Sequence, residues 1–94
     1  MAGFLGRFTK QSAEVRDYDV DYADYFQGRI DTPASFIVTA AAGITLVSSA
    51  RTGNVVKVVL SDGVDGNQYK ITVRLTTSSG IVREADFLVR VRDI

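Results

Sequence analysis

The chain predicts an all-β sandwich, and three observations carry that expectation. Apolar and polar residues alternate with period two, most strictly where Tyr69, Ile71, Val73 and Leu75 share one face and Lys70, Thr72, Arg74 and Thr76 the other. Such alternation marks an antiparallel strand with one side buried. Turn residues recur roughly every eight to twelve positions, the spacing of short sandwich strands. Tyr69 opens its strand just after Asp65-Gly66 and two residues before the first deep core position. That is the place of the tyrosine corner, so the sandwich is expected to be immunoglobulin-like, with about seven antiparallel strands and an extended N-terminal arm.

Residues 1–12 read as the arm, with Phe4, Leu5 and Phe8 set among glycines and polar residues; such a segment docks on its own domain or on a neighbour. Residues 13–94 form the domain. Its first strand is expected near 15–22, with Tyr18, Val20 and Tyr22 on one face and Asp17, Asp19 and Asp21 on the other. A short turn or single helical turn follows over 23–26, and Gly28 and Asp31-Thr32-Pro33 break the chain. Strands are expected at 34–40 (Phe36, Val38, Ala40 on one face) and 44–49 (Ile44, Leu46, Ser48 on one face). The next is 54–61, where Val56, Val58 and Leu60 oppose Val55, Lys57 and Val59. Asp62-Gly63-Val64-Asp65-Gly66 is a double turn signal before the strand at 68–77. After Ser78-Ser79-Gly80 the last strand runs over 81–92, with Ala85, Phe87, Val89 and Val91 facing one way. A small closed barrel is the alternative that periodicity leaves open.

Composition narrows the chemistry. Eleven basic and eleven acidic side chains balance, which argues against a nucleic-acid binder. Absence of cysteine rules out a disulfide framework or a thiolate metal site, and absence of histidine removes the commonest general base and zinc ligand. No apolar run reaches the roughly 18 residues that span a bilayer, and the opening residues lack the apolar stretch of a secretion signal. Neither an enzyme nor a cofactor is expected, and no membrane partner.

Four constellations remain. Asp17, Asp19, Asp21 and Asp24 open like a calcium loop, but Tyr22 stands where that loop needs glycine and Gly28 where it needs glutamate, so a solvated strand face explains them better. Tyr18, Tyr22 and Tyr25 with Phe26 form an acidic-aromatic segment that recognises a partner, or of which Tyr18 and Tyr22 cover one edge of the core while their hydroxyls reach water; stacking of the three tyrosines on sugar rings would make the chain a carbohydrate-binding module. Charge is segregated: six acids and two bases lie between Glu14 and Asp31, five bases and two acids between Lys70 and Arg92. Segregation suits head-to-tail association of copies, or the first and last strands lie side by side and pair their charges. Val55, Val59 and Leu88 fall on charged faces and, with the arm, could form one side of a subunit contact.

Taken in order, several stretches resemble a family of small phage proteins, the fiber-tail adaptors. They are the opening from Phe8 to Tyr22, the middle from Gly43 to Ser49, Val56 to Gly63, Gly66 to Val73, and the ending from Gly80 to Arg92. The order and spacing of the acidic-aromatic opening distinguish the resemblance; Tyr25 and Phe26 depart from it by making the segment from Asp24 to Pro33 apolar. The resemblance implies a structural virion protein, made in the host cytoplasm, that joins the tail tube or its adaptor complex to fibers in multiple symmetric copies. The implied contacts are Phe4, Leu5 and Phe8 in the arm, with Tyr18, Tyr22, Tyr25 and Phe26 as a second contact. A capsid decoration or cement protein of the phage head is the alternative placement.

Overall fold

The computed structural model describes residues 3–94, with side chains from Leu5 onward. Its elements are β1 (Gly3–Lys10), β2 (Arg16–Asp21), α1 (Ala23–Phe26), β3 (Pro33–Ala40), β4 (Ile44–Thr52), β5 (Val55–Asp62), β6 (Gln68–Thr77) and β7 (Val82–Val91). They form two sheets, one ordered β1-β7-β6-β3 and the other β2-β5-β4. The molecule is long and narrow, with extents of 46 × 20 × 18 Å.

The alternation read from the sequence becomes the core. Val20, Val56, Val58 and Leu60 of one sheet pack against Ile71, Val73, Leu75, Phe87, Val89 and Val91 of the other, all nearly without exposure. Tyr22, fully buried just past β2, donates its hydroxyl to the Val73 carbonyl of the facing sheet at 3.1 Å. The bond satisfies the one polar atom that its ring carries into the interior.

Tyr69 is buried at the start of β6, and its hydroxyl accepts the Val64 backbone N–H at 2.8 Å. The ring lies against two glycines that turn the chain. A Cβ on Gly43 would meet Tyr69 Cε1 at 3.0 Å, and one on Gly63 would meet Val91 Cγ2 at 2.6 Å; both have positive φ. Glycine fits there for conformation and for space. Tyr69→Phe leaves the Val64 N–H without its acceptor, and we expect a loss of about 1–2 kcal/mol in urea unfolding.

Two expectations are corrected. The arm docks on its own domain, one of its two expected places, with Gly3–Lys10 as the edge strand of the four-stranded sheet. Its pairing with β7 is parallel, so the strands are not all antiparallel. The two can run alike because the remaining strands lie between them in the chain and supply the long crossover that parallel neighbours need. In β4 the register shifts between Leu46 and Ser48, which pairs Leu46 with Leu60 but Ser48 with the outward Val59. This bulge takes Ser48 off the face that Ile44 and Leu46 share.

Candidate partner-contact surfaces

At one long side of the sandwich the edge strands β1 and β2 lie over each other, and between them opens a groove of about 310 Å³. Leu5, Phe8, Arg16, Asp17, Tyr18, Asp19 and Phe87 line it. Three rings meet there: Phe8 and Tyr18 have centroids 5.3 Å apart, Tyr18 and Phe87 5.4 Å, and Phe8 stands edge-on to Phe87 at 5.8 Å. Phe87 is the buried floor, whereas Phe8 is 42% and Leu5 38% exposed. Tyr18 is half-buried, and its hydroxyl oxygen is enclosed without a hydrogen-bond partner among the described residues. Burial pushes its phenol upward from the ordinary tyrosine value. An enclosed hydroxyl that makes no bond destabilises the site that holds it.

Of the seven sequence-derived contact residues, the structure brings Leu5, Phe8 and Tyr18 together at this groove. The side chain of Phe4 lies outside the described residues. Tyr22, Tyr25 and Phe26 are buried members of the core, so they present no outer contact. The reason is the turn after β2: the Asp21 carboxylate accepts the Ala23 N–H at 2.8 Å, and α1 then rolls Tyr25 and Phe26 onto the end of the sandwich. There they meet edge to face at 5.0 Å. The Tyr25 ring carries two guanidinium groups, Arg29 at 4.4 Å and Arg83 at 4.6 Å from its centroid.

The loop beyond α1 is stapled to the β6–β7 turn. Asp31 accepts the Ser79 hydroxyl at 2.7 Å and the Thr32 N–H at 2.9 Å, and these bonds, that of Ser79 first, hold its carboxyl below the usual range. Beside this staple Ile30 is fully exposed.

The segregated charges do not pair across neighbouring strands. β2 lies in one sheet and β6 and β7 in the other. Asp17 and Asp19 share Lys57 of β5 at 3.0 and 3.1 Å, and the hydrogen bond from Lys57 holds the Asp17 carboxyl low. Among the described residues no group of three or more acids converges as a calcium site would.

Sequence reasoning missed Lys10. It is 1% exposed, and its ammonium donates to the carbonyls of Asp62 at 2.6 Å, Gln11 at 2.8 Å and Ser12 at 3.3 Å. It missed the Phe87 floor as well. The signal was present: once Gly3–Lys10 is a strand, Phe8 and Lys10 alternate onto the inner face opposite Val89 and Val91.

The family model described as podophage GP4 fiber-tail adaptor protein gp77 matches residues 10–90. No curated protein matches the chain.

Proposed function

The chain belongs to the podophage fiber-tail adaptor family, and from that membership we propose which of its surfaces do the joining. The family is a structural adaptor of the podophage virion that links tail and fibers. In our reading the Leu5–Phe8–Tyr18 groove receives an apolar segment of a neighbouring tail or fiber protein, and the end bearing Arg29 and the exposed Ile30 forms a second contact. Docking alone does the work, with no reaction and no cofactor, in several symmetric copies on the tail of a virion assembled in the host cytoplasm. Multiplied sites turn modest affinities into a firm joint. The immunoglobulin-like reading of the sandwich is part of this proposal. It is supported by the order β2-β5-β4 against β7-β6-β3 and by the Tyr69 hydroxyl on Val64.

The observation that carries the groove assignment is the enclosed, partnerless Tyr18 hydroxyl beside half-exposed Phe8 and Leu5. Because the oxygen is enclosed, a partner group reaches it only by shifting the side chains that cover it, and the bond it then makes gives the hydroxyl a use that it lacks in the isolated chain. Tyr18→Phe is therefore expected to have two effects of opposite sign. The isolated domain should gain up to about 1 kcal/mol in urea unfolding, because a buried polar atom is removed. Co-expressed with wild type during infection, the variant should be several-fold under-represented in purified tails relative to the lysate, read by mass spectrometry. Equal shares in tails and lysate would contradict the groove as the contact.

A further inference from the structure

The two broad faces of the sandwich carry opposite charge. On the outer face of the β2-β5-β4 sheet, Asp17, Asp19 and Asp21 form a strip along the edge strand β2, offset only by Lys57. Beside the strip lie Val55 and Val59, then the small exposed residues Ser48, Ala50 and Thr52 of β4. The outer face of the β1-β7-β6-β3 sheet holds Arg7, Lys70, Arg74 and Arg90, with Arg92 just past the end of β7. Its two acids are already engaged, Asp86 with Lys70 at 3.6 Å and Glu84 with Arg74 at 3.0 Å. Arg7, Arg90 and Arg92 make no ion pair among the described residues. Register places Leu88 between Arg7 and Lys70 and sets Arg90 opposite Thr9 and Gln68, so the surplus bases surround a half-buried apolar centre.

From this complementarity we infer that copies of the chain stack face to back, the acidic β2 strip of one copy lying on the basic β1–β7 face of the next. The alignment follows from the fold. β1 and β2 occupy the same long side, since the Phe8 and Tyr18 rings touch across the two sheets at 5.3 Å. Displacing a copy along the sheet normal therefore carries its β2 strip over the β1–β7 strip of its neighbour. A 46 × 20 Å face is on the order of the roughly 800 Å² that each partner gives to a standard interface. Like faces would repel, so the contact is heterologous; it closes into a ring if each step rotates and runs on as a filament if it does not. The inference deepens the adaptor reading by naming the contact between copies; its strip includes Asp17 and Asp19, which also border the β1–β2 groove, while Phe8 and Tyr18 lie on the opposite faces of their strands.

The test uses the full chain in two charge-reversed forms, Asp17→Lys with Asp19→Lys, and Arg7→Glu with Arg90→Glu. All four side chains are exposed, so folding should persist, checked by circular dichroism. Wild type is expected to associate in sedimentation equilibrium at millimolar concentration and low salt, and to dissociate as salt shortens the screening length. Each variant alone should associate at least about tenfold more weakly, since both its broad faces then carry one sign. Mixed in equal amounts, the variants should associate again, because every basic face finds an acidic one. A wild type that stays monomeric at low salt overturns the inference. So does association that both variants keep at high salt, which would assign the contact to the uncharged edge strands between Thr32 and Ala50. These outcomes are separate from those of the tail-incorporation experiment: copies that ignore each other can still enter tails, and copies that stack can be absent from them.

Discussion

Replacing Tyr22 with alanine is expected to cost about 4 kcal/mol in stability, the cost of emptying a large buried aromatic site. The ring has 0% exposure and its hydroxyl is bonded to the carbonyl of Val73 in the other sheet. The substitution thus opens a cavity and removes a buried hydrogen bond together. Small domains hold about 5–15 kcal/mol in all, so the variant should unfold at a much lower urea concentration with its slope unchanged. Tyr22→Phe separates the two losses, keeping the volume and giving up about 1 kcal/mol. The same hydroxyl makes the fold sensitive to alkali. Burial pushes its ionisation up to about 12, whereas in an unfolded chain a tyrosine ionises near about 10. The folded state therefore holds its proton more tightly. The stabilisation is complete below about pH 10 and is lost as pH climbs through about 12. In Tyr22→Phe that part of the alkaline loss should vanish.

Lys10→Met should cost about 3 kcal/mol, lowering the melting temperature by on the order of 15 °C. Methionine fills much of the lysine's volume, so the loss reports the ammonium. Without it the carbonyls of Gln11, Ser12 and Asp62 lose their shared donor. Asp62 stands at a positive φ of 65°, a conformation that a non-glycine residue keeps only when its surroundings hold it. The ammonium thereby ties the end of β1 to the end of β5. Hydrogen exchange should show β1 amides opening before those of β6 in this variant. Since β1 carries Leu5 and Phe8, loosening it also disorders the groove.

The strands of the interior were legible because burial on one face writes itself as period-two alternation. β6 has the bounds expected for it, and Val20, Ile71 and Phe87 lie where their alternation put them. The segment around α1 was legible as a turn but not as an interior. Tyr25 and Phe26 lie among acids in sequence, and only the end of the sandwich folding over them makes them core. β1 was the least legible. Glycines at positions 3 and 6 break its alternation, and its pairing with β7 depends on a strand more than seventy residues away. Lys10 was hidden for a related reason: a charged residue reads as surface until three carbonyls are seen to converge on it. Of the residues that line the groove, Leu5 and Phe8 were legible as one apolar arm and Tyr18 as part of the acidic-aromatic segment. That Phe8 and Tyr18 would close over Phe87 was not, because the three come from three strands of two sheets.

An edge groove with a hydroxyl in want of a bond, on a narrow body with one acidic and one basic face, suits a part that is held by its neighbours. The most direct test is a cryo-electron microscopy map of the purified tail with this chain traced in it. The account expects the chain between tail and fiber, with a side chain or strand of an adjacent protein seated on Leu5, Phe8 and Tyr18. A tail in which that groove faces open solvent, or a particle that carries the chain on its head instead, would contradict it.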